Sequence, residues 1–283
     1  MFKLGISLLK KDKLQLGLID SQGKCETFKE LDLEKQLEPA ETLIQAISNF
    51  NTEIESIGIV IPRGFEVKEL VSELSEKLNL PVGVGYLGNA SASYESKHGF
   101  GRGEDNFVTI DLHNKYLEAG IFVNGKLSVG NDGLAGDLGN MLVNAYGKHF
   151  PVSNYFSHAG IVDSTTRLLA NAYTESPLRD ISYSNLTAQE IVEQAIKGDA
   201  LAINVFDELG KVLGLKLSDI VNYFSPKKYI ISSDLPDFAQ LIFKPAAKNM
   251  NKNLLAIFKS KISLHISKLN GEDANVVRAS SLI

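Results

Sequence analysis

The chain has 283 residues, 44% of them apolar, enough for a sizeable buried core arranged as one large or two medium domains. A formal charge of -5 and the lack of any Lys/Arg-rich run leave no basic field for a phosphate backbone, so nucleic acid is not an expected partner. The single Cys25 excludes an intramolecular disulfide framework and no long apolar run opens the chain, which speaks against secretion or a membrane span and for a reducing cytoplasm.

In chain order, Phe2 to Ile6 and Leu14 to Ile19 read as two apolar β-runs around the polar Lys10-Lys11-Asp12-Lys13 turn, with Asp20-Ser21-Gln22-Gly23 as the next turn. Ala40 to Phe50 follows Pro39 with Leu43, Ile44, Ile47 and Phe50 at helical spacing, and Ser56 to Ile61 is a short apolar strand ending at Pro62. This gives an order β-β-α-β. Val67, Leu70, Val71, Leu74 and Leu78 form one face of a helix, Pro81-Val82-Gly83-Val84 a short strand, and Asn89 to His98 a further helix.

A similar cycle restarts with Asn106 to Leu112 and Ala119 to Val123, followed by the hairpin signal Asn124-Gly125. Helices are then expected over Ala188 to Lys197, Leu201 to Phe224 and Phe238 to Phe258, with a strand from Tyr229 to Ser232 between the last two. Two strand-plus-helix halves imply two lobes.

The strings GRGEDNFVTIDL (Gly101 to Leu112), AGIFVNGKL (Ala119 to Leu127), AGDLGNM (Ala135 to Met141) and the run from Lys197 to Ile231 resemble, in this order, those of the ROK family. The resemblance implies an α/β, two-lobed actin-like (ribonuclease H-like) ATPase or sugar kinase fold with mixed sheets flanked by helices. It divides the chain into residues 1-105 plus 272-283 as an N-terminal lobe and 106-271 as a C-terminal lobe. Glu272 to Ile283 resembles the closing A-G-x-x-G-A-A-x-L helix of the family, expected to return to the N-terminal lobe. Family members are sugar kinases or sugar-responsive repressors.

Phosphoryl transfer needs a general base, donors around the phosphates and a metal, and each can be sought by position. The family base is the Asp of a segment close to E-N-D-A-N-A-A-A-x-x-E, which here runs from Gly85 to Glu95 and places Leu87 at the base. Leucine accepts no proton, and general acid-base assistance is worth roughly 100 to 10,000-fold. No catalytic residue is therefore assigned. The phosphate turn that resembles D-I-G-G-T-K is Ser7-Leu8-Leu9-Lys10-Lys11-Asp12, where side chains obstruct close backbone approach. Lys10 and Lys11 are candidate anion-binding residues there, against the ordinary reading of a solvated hairpin tip. The second phosphate turn, close to G-T-G-I-G, is Asn114-Lys115-Tyr116-Leu117-Glu118, and the glycine-rich purine turn is Ser232-Ser233-Asp234.

The loop that would cover a sugar after Ile61-Pro62-Arg63-Gly64 looks deleted, and A-G-E-x-G-H reads Ala135-Gly136-Asp137-Leu138-Gly139-Asn140. Asp137, Asn140 and Asn89 remain as candidate ligand-binding residues. Asp137 is either a sugar ligand or an acceptor of backbone hydrogen bonds in a glycine-rich turn. Asn140 replaces the zinc-binding His, no cysteine stands between Met141 and Ser157, and His149 is alone there, so no zinc or other metal is expected.

Other chemistry is weaker. Cys25 lies beside a turn without a nearby His, His98, His113, His158 and His265 are scattered, and Ser232-Ser233-Asp234 lacks a convincing His partner. The expected function is a glucokinase-like ROK pseudokinase with a binding, regulatory or assembly role, needing no cofactor. The alternative is a divergent ATP-Mg-dependent hexose kinase in which Asp111, Glu118 or Asp137 takes over the chemistry. A repressor is disfavoured because the chain enters its first strand close to Met1, without a helix-turn-helix. A carbohydrate or protein partner and a homo-oligomer, with dimers the commonest form, complete the expectation.

Overall fold

The computed structural model describes residues 1–10, 12–32, 39–50, 52–65, 68–145, 148–171 and 173–283. Lys11 and Val67 lie outside them. Residues 1–103, 129–134 and 269–283 form one compact unit, and 104–128 and 135–268 a second.

In the first unit, β1 (Phe2–Ser7) and β2 (Lys13–Ile19) form the opening hairpin. Asp20 Oδ1 then accepts the N–H groups of Gln22 and Lys24, each at 2.9 Å, and turns the chain into β3 (Cys25–Asp32). This strand corrects the expected order, which lacked it. Among the described residues β3 is an edge strand paired with β2 alone, and Glu26, Lys29, Glu30 and Asp32 break the apolar alternation with the charges that protect a sheet edge. α1 (Pro39–Ser48), β4 (Ile54–Ile61), α2 (Lys68–Leu78) and β5 (Val82–Tyr86) follow, giving the sheet order β3-β2-β1-β4-β5 with β1, β4 and β5 parallel. α3 (Leu87–His98) starts directly from β5.

The two faces of this sheet differ. Leu4, Ile6, Leu16, Ile57 and Ile59 join Leu43 and Ile47 of α1 and Leu70 and Leu74 of α2 in one core. On the other face, strand register aligns Gly17, Gly5, Gly58 and Gly83 in a row across β2, β1, β4 and β5. α9 (Ala274–Ala279) lies on that row: a Cβ on Gly5 would stand 1.8 Å from the Val276 carbonyl oxygen, and one on Gly58 1.9 Å from that of Ala279. Bare backbone is what lets the C-terminal segment return to this unit.

In the second unit, β6 (Phe107–His113), β7 (Tyr116–Val123) and β8 (Lys126–Leu127) form a meander beside β11 (Lys228–Ser233) and β12 (Ser263–Ile266), in the order β12-β11-β6-β7-β8. Asn124 and Gly125 have φ of 53° and 72°, the left-handed pair that a two-residue type I′ hairpin turn requires. Between these strands come the hairpin β9 (Leu142–Ala145) and β10 (Lys148–Pro151), then α4 (Ser153–Phe156), α5 (His158–Asn171), α6 (Ala188–Ile196), α7 (Ala200–Phe224) and α8 (Phe238–Asn253).

α5 was not expected, because its Gly160, Thr165 and Thr166 dilute the helical signal. α8 ends at Asn253 rather than at Phe258. Leu254 turns extended with φ -80° and ψ 145° while its side chain stays in the core, and Leu255 and Ile257 beyond it are 66% and 63% exposed. α7 and α8 approach closely because Gly210 and Gly214 face Pro245 and the Ala246 carbonyl; a Cβ on Gly214 would lie 2.4 Å from that oxygen. Val108, Ile110, Leu112, Tyr229 and Ile231 bury one sheet face against Leu213, Leu217, Ile242 and Met250, each side chain contributing about 1.5–3 kcal/mol. The alternate positions of β6 are Thr109, Asp111 and His113, which puts polar groups on the opposite face.

Among the described residues no helix is long and apolar enough to cross a membrane.

Candidate functional site

In the first unit, Leu87 is the first residue of α3 and is 1% exposed. Its side chain is core, not a group presented to a ligand. One residue earlier, the Tyr86 ring carries the Arg63 guanidinium 4.7 Å above its centroid, and Arg63 Nη1 donates to the Leu134 carbonyl at 3.1 Å. Asn89 Nδ2 donates to the Gly133 carbonyl at 3.3 Å. Asn89 and Arg63 thus both hold the segment 129–134, which the chain contributes to this unit.

Lys10 does not stand open at the hairpin tip. Its Nζ pairs with Glu30 Oε2 at 2.7 Å, Lys13 takes Glu30 Oε1 at 2.6 Å, and Gln15 Nε2 donates to Glu30 at 3.0 Å. The hydrogen bonds from Lys10 and Lys13 hold the Glu30 carboxyl down at about 2. Beside this network Leu8 and Leu9 are buried, so no glycine backbone is available for close phosphate approach. The residues present do not fit a nucleotide phosphate with its metal.

In the second unit, the turn expected at 114–118 is a tight hairpin whose register pairs His113 with Tyr116 and Asp111 with Glu118. Asp111 and Glu118 are each 2% exposed, and Ser232 Oγ donates to Asp111 Oδ1 at 2.5 Å. These carboxylates are therefore built into the sheet interior.

Asp234 is where the structure assembles chemistry that the sequence does not announce. Its Oδ2 accepts the Asn114 N–H at 3.0 Å and lies 3.5 Å from His113 Nδ1, while Oδ1 lies 3.7 Å from His158 Nε2. Asn114 Oδ1 in turn accepts the His158 N–H at 3.3 Å. The expectation that this loop lacked a His partner is corrected: two imidazoles face one carboxylate. Burial opposes ionisation of Asp234, but the facing imidazoles of His158 and His113 and the Asn114 N–H outweigh it and hold the carboxyl below its ordinary value. Ser232 completes no triad, because its hydroxyl is committed to Asp111. Next to the cluster a groove of about 480 Å³ is lined by His158, Val162, Tyr183, Leu186, Ala188 and Leu235, among others.

Asp137 and Asn140 are brought together: Asn140 Nδ2 donates to Asp137 Oδ2 at 2.7 Å. Gly136, at φ 86°, seats their turn against β7, and the Ala119 N–H donates to the Gly136 carbonyl at 2.7 Å. In the stretch where a structural zinc would be held, residues 142–145 and 148–151 form the antiparallel pair β9 and β10 and residues 153–156 form α4, with His149 exposed and no thiol. Asn140 and a lone imidazole do not fit a tetrahedral zinc site, and among the described residues no group of three or more His, Cys, Asp or Glu is placed to hold a metal.

A family model described as the ROK family matches residues 57–283. The N-acetylglucosamine repressor of Escherichia coli O6:H1 is 26% identical over 214 residues, 72% of this chain and 51% of that protein. The glucokinase of Halalkalibacterium halodurans is 27% identical over 231 residues, 78% of this chain and 68% of that protein. The chain thus spans about half the length of the first of these relatives. The crystal structure of a ROK family glucokinase from Streptomyces griseus in complex with glucose and AMPPNP superposes with a TM-score of 0.80 at 22% identity, covering 100% of this chain and 99% of that one. The fold is the actin-like, two-lobed sugar kinase fold, with a mixed sheet and flanking helices in each unit.

Proposed function

The chain belongs to the ROK family, and we propose that it is a non-catalytic member, a pseudokinase that serves as a binding, regulatory or assembly subunit. The observation that carries this reading is the burial of Leu87: an apolar side chain, 1% exposed, occupies the position that the sequence resemblance aligns with the family's proton acceptor. Without a base the sugar hydroxyl keeps its proton, and the loss of roughly 100 to 10,000-fold in rate compounds with the loss of the phosphate turns. The pairing of Lys10 with Glu30 supports the same reading, because Lys10 already has a carboxylate partner within the hairpin.

The alternative of a divergent hexose kinase requires Asp111, Glu118 or Asp137 to act as base. The first two are 2% exposed, and Asp137 is bonded to Asn140. The role proposed is therefore binding of a carbohydrate or a protein by a homo-oligomer, without ATP-Mg or zinc. The groove beside His158 offers a place for a small ligand. Calorimetric titration with ATP-Mg and with hexoses, together with an ADP-release assay over sugars and amino sugars, tests the reading. Absence of sugar-dependent ADP release is expected; saturable nucleotide binding with sugar-dependent turnover would replace it with the kinase reading.

A further inference from the structure

The segment Val129–Leu134 follows β8 of the second unit, contributes six residues to the first, and re-enters the second at Ala135. Its own structure is one short 3-10 turn, Asn131–Gly133. Val129 and Leu134 are 43% and 51% exposed, Gly130, Asp132 and Gly133 have φ of 68°, 51° and 75°, and Leu134 N–H to the Asn131 carbonyl, at 3.0 Å, is its internal backbone bond. Such a segment is held by what reaches it from outside.

Two side chains of the first unit do so. Arg63 Nη1 donates to the Leu134 carbonyl at 3.1 Å, and Asn89 Nδ2 to the Gly133 carbonyl at 3.3 Å. Arg63 is itself positioned by the Tyr86 ring beneath its guanidinium, and Gly133 lies against the same ring, 3.7 Å separating a Cβ built there from Tyr86 Cε2. A planar cation can stack on the ring and donate in its own plane at the same time; an ammonium lacks the plane and a neutral amide lacks the charge that the ring face attracts.

We propose that Arg63 is a latch that fastens the 129–134 strap over the start of α3, with Tyr86 as its platform and Asn89 as a second, weaker catch. Fastened, the strap occupies the Asn89 amide and Arg63 covers a face of Tyr86, so the chain supplies its own occupant at this end of the helix. The device is a property of the first unit and stands whether or not the protein has kinase activity.

Limited chymotrypsin digestion of the full chain, followed by mass spectrometry, tests this. Leu134 provides a cleavage site in the strap, and Tyr173, fully exposed in the second unit, provides an internal control. R63A is expected to speed cleavage after Leu134 by about tenfold or more while leaving cleavage after Tyr173 unchanged, because proteolysis follows the population of the open segment. R63M keeps the stem over Tyr86 and removes the charge and donors; it is expected to behave like R63A and serves if that variant does not fold. Unchanged cleavage after Leu134 in the folded variant, or a rise that only parallels the Tyr173 site, would overturn the latch.

Discussion

His158 Nε2 stands 3.7 Å from Oδ1 of Asp234, so the first residue of α5 meets the loop that leads from β11 into α8. With His113 and Asn114 on the other carboxylate oxygen, Asp234 ties three elements of the second unit together.

This tie has a pH signature. The folded Asp234 carboxyl lies below its ordinary value, so its stabilising contribution is present above the unfolded pKa of about 3.9 and is lost as pH falls through the folded value. Asp234→Asn should cost about 1–3 kcal/mol near neutral pH by removing the charge that faces His113 and His158 and weakening the charge-assisted bond from the Asn114 N–H. Urea unfolding of both proteins from pH 7 down to 3 should show the difference shrinking below about pH 4. A difference constant across that range would show that the charge of Asp234 has no part in the tie.

Local rules made much of the fold legible in the sequence. The Asn124-Gly125 turn, the apolar spacing of α2 and α7, and Leu87 at the position to which the family resemblance assigns a carboxylate are each visible within a few residues. The Asp234 cluster was not, because the parallel register of β11 on β6, which sets Ser233 opposite Leu112, is what brings Asp234 to His113 and Asn114. The glycine row was hidden for the same reason: Gly5, Gly17, Gly58 and Gly83 become one surface only when four strands are in register. The edge strand β3 was obscured by its own protective charges.

That row makes a steric prediction. In Gly58→Ala the new Cβ would fall 1.9 Å from the Ala279 carbonyl oxygen, a backbone atom that cannot swing away. The C-terminal segment must lift, at a cost of about 1–3 kcal/mol or more. Guanidinium unfolding should show the loss, and hydrogen exchange should rise selectively over 274–283.

Lys10 should prove dispensable. The Lys10 and Glu30 side chains are 48% and 26% exposed, and pairs of this kind contribute about 0–1 kcal/mol. Lys10→Ala should shift the melting temperature little, and added phosphate or ATP should leave wild type and variant equally unaffected. Stabilisation of the wild type alone would restore Lys10 as an anion ligand.

Putting back the missing base should not restore catalysis. Leu87→Asp places a carboxyl in a site 1% exposed, where burial favours the neutral acid and costs about 2 kcal/mol or more. The variant should melt at lower temperature and, on the non-catalytic reading, release no ADP with any hexose, because the run from Ser7 to Asp12 still lacks the glycines that close phosphate approach needs. Sugar-dependent turnover in Leu87→Asp would mean that the nucleotide site survives.

The most direct measurement is calorimetric titration of the purified wild-type chain with ATP-Mg and with glucose and N-acetylglucosamine, alongside ADP release from the same samples. The non-catalytic reading predicts no saturable ATP-Mg binding and no sugar-dependent ADP; saturable nucleotide binding coupled to sugar-dependent ADP release would contradict it.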